Sequence, residues 1–274
     1  MQPPKAIENA GSRLQPNYAM RTCLLPLCLL LSACGGGPDV NIFSVNRDAE
    51  WGKEIFMDIY SSPAEFPIIG ESDDPRAYAY LQGMVDEIVA AGGVPHQDVF
   101  PYKVTILDQD VQNAFATAGG YIYVYTGLIK FLETEDELAG VLAHEIAHAA
   151  ERHVTEQATK RYGLNTLVAL FTGEGNGGIL ADIGENLIGL GFSRAAEAEA
   201  DARSVDYLCG TRFAADGAAG FFRKSEGAPT PLQFLSTHPS PENRVEKIKE
   251  RAAAAECPAS TSSTKAFRQF QRRF

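Results

Sequence analysis

The chain has 274 residues, 45% of them hydrophobic, which is enough for a substantial core in one large domain or two small ones and excludes disorder throughout. Its formal net charge is −11; residues 1–33 hold Lys5, Arg13 and Arg21 against Glu8, so the remainder carries −13. A chain this acidic excludes nucleic acid as a partner, because phosphate contacts need clustered lysines and arginines.

Thr22 to Leu31 is an apolar run, shorter than the about 20 residues that a membrane-spanning helix requires. Arg21 precedes it and Leu31-Ser32-Ala33-Cys34 follows, so it reads as the apolar region of a signal peptide with small residues before the cleavage point. Leu-Ser-Ala-Cys resembles a bacterial lipobox, in which the cysteine is acylated and becomes the first mature residue. Residues 1–33 are therefore expected to be a lipoprotein signal peptide, with Met20 an alternative start, and Cys34 the lipidated residue. An ordinary secretory cleavage with Cys34 incidental is the alternative. Residues 34–40, with Gly35-Gly36-Gly37-Pro38, form a flexible tether. Gly35, rather than Asp, after the cysteine implies an outer-membrane anchor facing the periplasm, by the sorting pattern of Gram-negative lipoproteins. Cys209 and Cys257 remain in the mature chain, where an oxidising compartment permits them to pair; two free thiols are the alternative.

The remainder, 41–257, reads as one α+β domain, mainly helical, with a small antiparallel or mixed sheet. Ile42, Phe43, Val45, Trp51, Ile55, Phe56 and Ile59 recur at helical spacing, and a second helix covers Ala77 to Ala91 before Gly92-Gly93 and Pro95. Tyr102 to Leu107 and Gly120 to Tyr125 are Val-, Ile- and Tyr-rich runs that read as strands. Thr134 and Glu137 form a capping box for a long helix running to about Arg161. Gly163 to Phe192 reads as two short helices or a flap, and Ser193 to Leu208 as a helix closed by Gly210. A further helix starts near Glu242, and residues 258–274, Ser/Thr-rich and then basic, read as a disordered tail.

Within the long helix, His144-Glu145-Ile146-Ala147-His148 places two imidazoles at i and i+4, one turn apart on one face, so both can reach one ion. Glu145 lies about 100° around the helix from His144, beside the ion rather than on it, which is where a general base belongs. Val141, Leu142, Ala143, Ile146, Ala147 and Ala149 surround the motif with small or apolar groups, unlike a solvated helix face. A catalytic zinc site takes three protein ligands, so a third lies downstream. Glu197, among alanines in Ser193-Arg194-Ala195-Ala196-Glu197-Ala198-Glu199-Ala200-Asp201, is the candidate; Glu199 points about 200° away. Asp201, four residues after Glu197, is placed to accept the N–H of a ligating histidine. His96 is given no role and His153 a structural one.

Four ordered segments, Asn113-Ala114-Phe115-Ala116 with Gly119 to Val124, Glu137 to Glu145, Ser193 to Asp201, and Thr237-His238-Pro239 with Arg244, resemble the HtpX and CAAX-prenyl-endopeptidase family of HExxH zinc metallopeptidases and its BepA-like branch of periplasmic lipoproteins. The resemblance spans roughly Asn41 to Arg251 and departs from the family at Ala118, where relatives often carry Pro. It implies a zincin-like domain with one zinc ion per chain, held by His144, His148 and Glu197, with Glu145 as base. It also implies that Gly120, Tyr121, Ile122, Tyr123 and Val124 form an edge strand pairing with extended substrate; an interior strand is the alternative. His238 either fills the open position on zinc and keeps the enzyme latent or donates to the oxyanion; a surface histidine is the alternative. The implied activity is endopeptidase action on unfolded or misassembled envelope proteins, in outer-membrane protein quality control. A chaperone-like assembly factor with little turnover is the runner-up.

Overall fold

The computed structural model describes residues 41, 43–91, 93–163, 189, 191–226 and 232–274. The expected signal peptide, Cys34 and its tether lie outside the described residues, as does most of the expected flap between Gly163 and Phe192. Helix α1 (Val45–Ser61) opens on Ser44, whose side chain accepts from the Arg47 N–H. It buries Trp51, Ile55 and Ile59, one turn apart, each worth about 1.5–3 kcal/mol. Strand β1 (Ile68–Ile69) and helix α2 (Pro75–Ala91) follow, then β2 (Lys103–Leu107), β3 (Ala114–Thr117) and β4 (Tyr121–Tyr125).

The sheet is mixed, in the order β1-β2-β4-β3. β1 is antiparallel to β2, β2 parallel to β4 with Lys103 opposite Tyr121, and β3 antiparallel to β4 with Ala114 opposite Val124. The β3–β4 turn uses Gly119 and Gly120 at positive φ. Helix α1 presses on this turn so closely that a Cβ at Gly52 would meet the Ala118 carbonyl oxygen at 1.9 Å.

After the short helix α3 (Thr126–Phe131), Thr134 Oγ1 accepts from the Glu137 N–H as the capping box requires and opens α4 (Glu135–Ala150), whereas Glu137 Oε2 accepts from the Glu133 N–H rather than from that of Thr134. The expected continuation to Arg161 does not occur. Arg152 adopts the left-handed conformation (φ 63°, ψ 30°), α4 ends, and a separate helix α5 (His153–Tyr162) begins. A buried carboxylate from α1 accounts for the break: Arg152 Nε donates to Asp48 Oδ2 at 2.5 Å, and Arg152 Nη2 donates to the Phe43 carbonyl.

Helix α6 (Arg194–Leu208) lies against α4, followed by α7 (Gly217–Glu226), α8 (Gln233–Thr237), α9 (Arg244–Ala254) and α10 (Thr264–Gln271). α7 approaches α4 at Gly140, where a Cβ would lie 2.1 Å from the Ala218 nitrogen. Gly210 is not a left-handed cap; it passes close to Ala91, whose carbonyl oxygen would lie 2.9 Å from a Cβ. Cys209 and Cys257 form a disulfide with Cα atoms 5.0 Å apart, tying the end of α6 to the segment after α9. Closing their 48-residue separation removes about 4 kcal/mol of unfolded-chain entropy.

The reading of 258–274 as a disordered tail is overturned. α10 buries Phe267 and Phe270, Phe270 stacks on Tyr80 of α2 at 4.5 Å, and Gln271 donates to the carbonyls of Ile129 and Leu132 at 2.7 Å each. No helix among the described residues is long and apolar enough to cross a membrane.

Candidate metal centre

Two helices build the site. α4 supplies His144, Glu145 and His148, and α6 supplies Glu197 and Asp201; alanines 139, 143, 147 and 200, all buried, let the two backbones approach. His238 enters from the C-terminus of α8, where its backbone N–H caps the Phe234 carbonyl and its ring stacks on Phe234 at 4.1 Å. His144, Glu145, His148, Glu197 and His238 are all fully buried.

One donor atom each from His144, His148, Glu197 and His238 lies within 4.8 Å of the others. His144 Nε2 is 3.0 Å from His148 Nε2 and 3.3 Å from His238 Nδ1; Glu197 Oε1 is 3.4 Å from His148 Nε2 and 3.1 Å from His238 Nδ1. Donors about 2.0–2.1 Å from a tetrahedral zinc stand about 3.3 Å from each other, so the spacing suits that ion. Behind the two helical imidazoles, His144 Nδ1 lies 3.1 Å from Asp201 Oδ1 as an ion-pair contact, and His148 Nδ1 lies 2.9 Å from His153 Nδ1. With hydrogens on those outer nitrogens, the inner lone pairs converge on one point, where a bound cation would be favoured. Imidazole and carboxylate donors, buried together, therefore fit zinc.

The field has the sign a cation seeks. Burial opposes protonation of His144, yet the carboxylates of Asp201 and Glu197 outweigh it and raise this imidazole to about 9. Burial also opposes ionisation of Glu197, and the charges and hydrogen bonds of His238, His144 and His148 overcome it, holding Glu197 far below the usual carboxylate range. Burial depresses His148 and His153. It raises Glu145, against the pull of His238 and His144. Both Glu145 oxygens lack a hydrogen-bond partner among the described residues, and Oε1 lies 3.4 Å from His238 Nε2.

All the candidates on α4 and α6 and His238 are thus brought together, with Asp201 behind His144. The substrate strand is a correction. Gly120 belongs to the turn, and Tyr121, Ile122, Tyr123 and Val124 form β4, an interior strand bonded to β2 on one side and β3 on the other. Its edge is occupied because β3 folds back on it; β3 itself holds the outer position.

Two contributors escaped the sequence reading of roles. Arg244, at 2% exposure, donates through Nη2 to Glu197 Oε2 at 3.2 Å and to Asp201 Oδ1 at 2.7 Å, and lies 3.4 Å above the Phe222 ring. Its place in the Thr237 to Arg244 segment was the available signal. The other is His153, given only a structural role; with α4 ended at Arg152, its Nδ1 comes to 2.9 Å from His148 Nδ1. Phe192 completes the wall, stacked on His148 at 4.0 Å.

A model of peptidase family M48 matches residues 75–252. The chain is 28% identical over 191 residues to the mitochondrial metalloendopeptidase OMA1 of Schizosaccharomyces pombe, covering 67% of this chain and 55% of that protein. It is 27% identical over 195 residues to a beta-barrel assembly-enhancing protease of Yersinia pestis, covering 65% and 40% respectively. It is 35% identical over 163 residues to the metalloprotease LoiP of Escherichia coli, covering 56% and 63%. The matched part of the chain thus spans between 40% and 63% of the length of these relatives.

Proposed function

The chain belongs to peptidase family M48, a family of zinc metallopeptidases, and we propose that it is an endopeptidase that cuts unfolded or misassembled envelope proteins from a lipid anchor on the periplasmic face of the outer membrane. The observation that carries the reading is the buried convergence of His144, His148, Glu197 and His238 beside the unpartnered carboxylate of Glu145. The Yersinia relative's name supports outer-membrane proteins as clients.

His144, His148 and Glu197 hold the metal. Bound there, zinc supplies a Lewis acid that polarises a carbonyl and eases deprotonation of water. Glu145 takes the proton of the attacking water and delivers it to the leaving amine; a carboxyl raised by burial suits both halves of that transfer. Arg244 keeps Glu197 and Asp201 in place through its paired hydrogen bonds. Extended substrate pairs with the outer edge of β3, the strand at the end of the sheet, which follows Asn113 with its buried, unpartnered Oδ1.

His238 is the plug of a latent enzyme. Its Nδ1 stands among the donors and its ring is fully buried, so it takes the position that substrate requires. His238→Ala is expected to raise casein cleavage; if the open form is about a tenth of the population, the gain is about tenfold. A fall would instead make His238 a donor to the transition state, and no change would remove it from the site.

The anchor is tested separately. Cys34→Ser is expected to move the protein from the membrane to the soluble fraction, because it removes the acylated residue and the chain after residue 33 carries a net charge of −13, which opposes attraction to an anionic lipid surface. Association of that variant with membranes after carbonate washing would sink the lipoprotein reading.

A further inference from the structure

On the far side of the His148 ring, away from the converging donors, stands another histidine. His148 turns Nε2 to the cluster, 3.0 Å from His144 Nε2, and Nδ1 outward to His153 Nδ1 at 2.9 Å. His153 is 3% exposed, and its second nitrogen, Nε2, lies 3.5 Å from Glu199 Oε2.

One arrangement of hydrogens satisfies these contacts. Two Nδ1 atoms at 2.9 Å share a single hydrogen, since two N–H groups would collide and two lone pairs would repel. A lone pair on His148 Nε2 requires the hydrogen on its Nδ1, so His148 donates and His153 accepts. His153 then carries its own hydrogen on Nε2, facing the carboxylate of Glu199. We infer that His153 is the positioning residue of His148, the middle of a relay from Glu199 that fixes the tautomer and ring orientation with which His148 meets the metal.

The relay rests on the reading of His148 as a ligand, and it does for His148 what Asp201 does for His144. The two arms differ in charge. Asp201 brings a carboxylate to the wall of the site, already balanced by Arg244. His153 brings a neutral acceptor, and the charge behind it, Glu199, stays at the surface with 48% of its side chain exposed. A second carboxylate against His148 would have no buried arginine to balance it among the described residues. Phe192, stacked on the ring, leaves the hydrogen bond as the control on rotation about the ring axis.

The test is zinc affinity, measured on the full chain by competition with a chromophoric chelator, beside the melting temperature of the metal-free form. His153→Leu fills the space without an acceptor and is expected to weaken zinc about 10–100-fold while the metal-free protein melts near the parent. His153→Gln restores an acceptor oxygen and is expected to recover most of that loss. Glu199→Ala, at an exposed position where folding is not at risk, is expected to weaken zinc several-fold. Parent affinity in both His153→Leu and Glu199→Ala would overturn the relay, as would a His153→Gln variant no better than His153→Leu. Zinc held equally by the parent and by His148→Ala would overturn the ligand reading and the relay together; zinc lost in His148→Ala but unchanged in His153→Leu would overturn the relay alone.

Discussion

Glu145→Gln is expected to abolish peptide hydrolysis while zinc and fold remain. The carboxylate is fully buried beside the donors and its oxygens have no partner among the described residues, so what it contributes to the resting protein is strain rather than cohesion. Burial raises this carboxyl, meaning that the surroundings prefer it uncharged; an amide of the same shape is therefore at least as well accommodated. Proton transfer is what disappears. A positioned base contributes about 10²–10⁴ in rate, and the same group serves twice in the proposed cycle, so activity should fall at least to the lower of those factors. Cleavage of casein in a His238→Ala background gives the rate, and elemental analysis gives the zinc. Hydrolysis within tenfold of the parent would remove Glu145 from the chemistry, and loss of zinc would make it a ligand instead.

His144→Ala, His148→Ala and Glu197→Ala are each expected to lose metal and activity together. Zinc that binds only the folded state at about a hundred times its dissociation constant adds about 2.7 kcal/mol of stability. For a domain of this size that corresponds to about 5–10 °C in melting temperature. Chelation should lower the melting temperature of the parent by that amount and leave the three variants unmoved, because they have no zinc to lose. Glu197→Ala should also weaken the metal-free protein, since Glu197 is a buried charge paired with Arg244, and removing one member of such a pair costs about 3–5 kcal/mol. A chelator response in Glu197→Ala equal to that of the parent would take Glu197 out of the ligand set.

How much of this was readable without coordinates depends on the distance over which each feature is decided. The pairing of His144 with His148 follows from the helical repeat, which sets residues four apart on one face whatever the helix packs against. The alanines around Glu197 announced a close helix contact, and the Thr134 to Glu137 box announced where α4 starts. Phe267 and Phe270 carried the spacing of an amphipathic helix within a polar segment; composition outweighed periodicity there, and the segment was read as a tail.

What the sequence determined by itself is local: which residues share a helix face, where caps stop the backbone, and which side chains have the chemistry to hold a metal or move a proton. Tertiary structure decided the rest. β4 is interior because β3 returns to pair with it, and no pattern within five residues says which edge of a strand a neighbour will occupy. α10 forms part of the core because Tyr80, far back in the chain, offers Phe270 a ring to stack on. His153 faces His148 because Asp48, 104 residues before Arg152, holds that arginine where α4 turns left-handed and stops. A left-handed arginine costs about 1–2 kcal/mol, so periodicity continues the helix straight through it, and the buried carboxylate from α1 helps to offset the strain of the break.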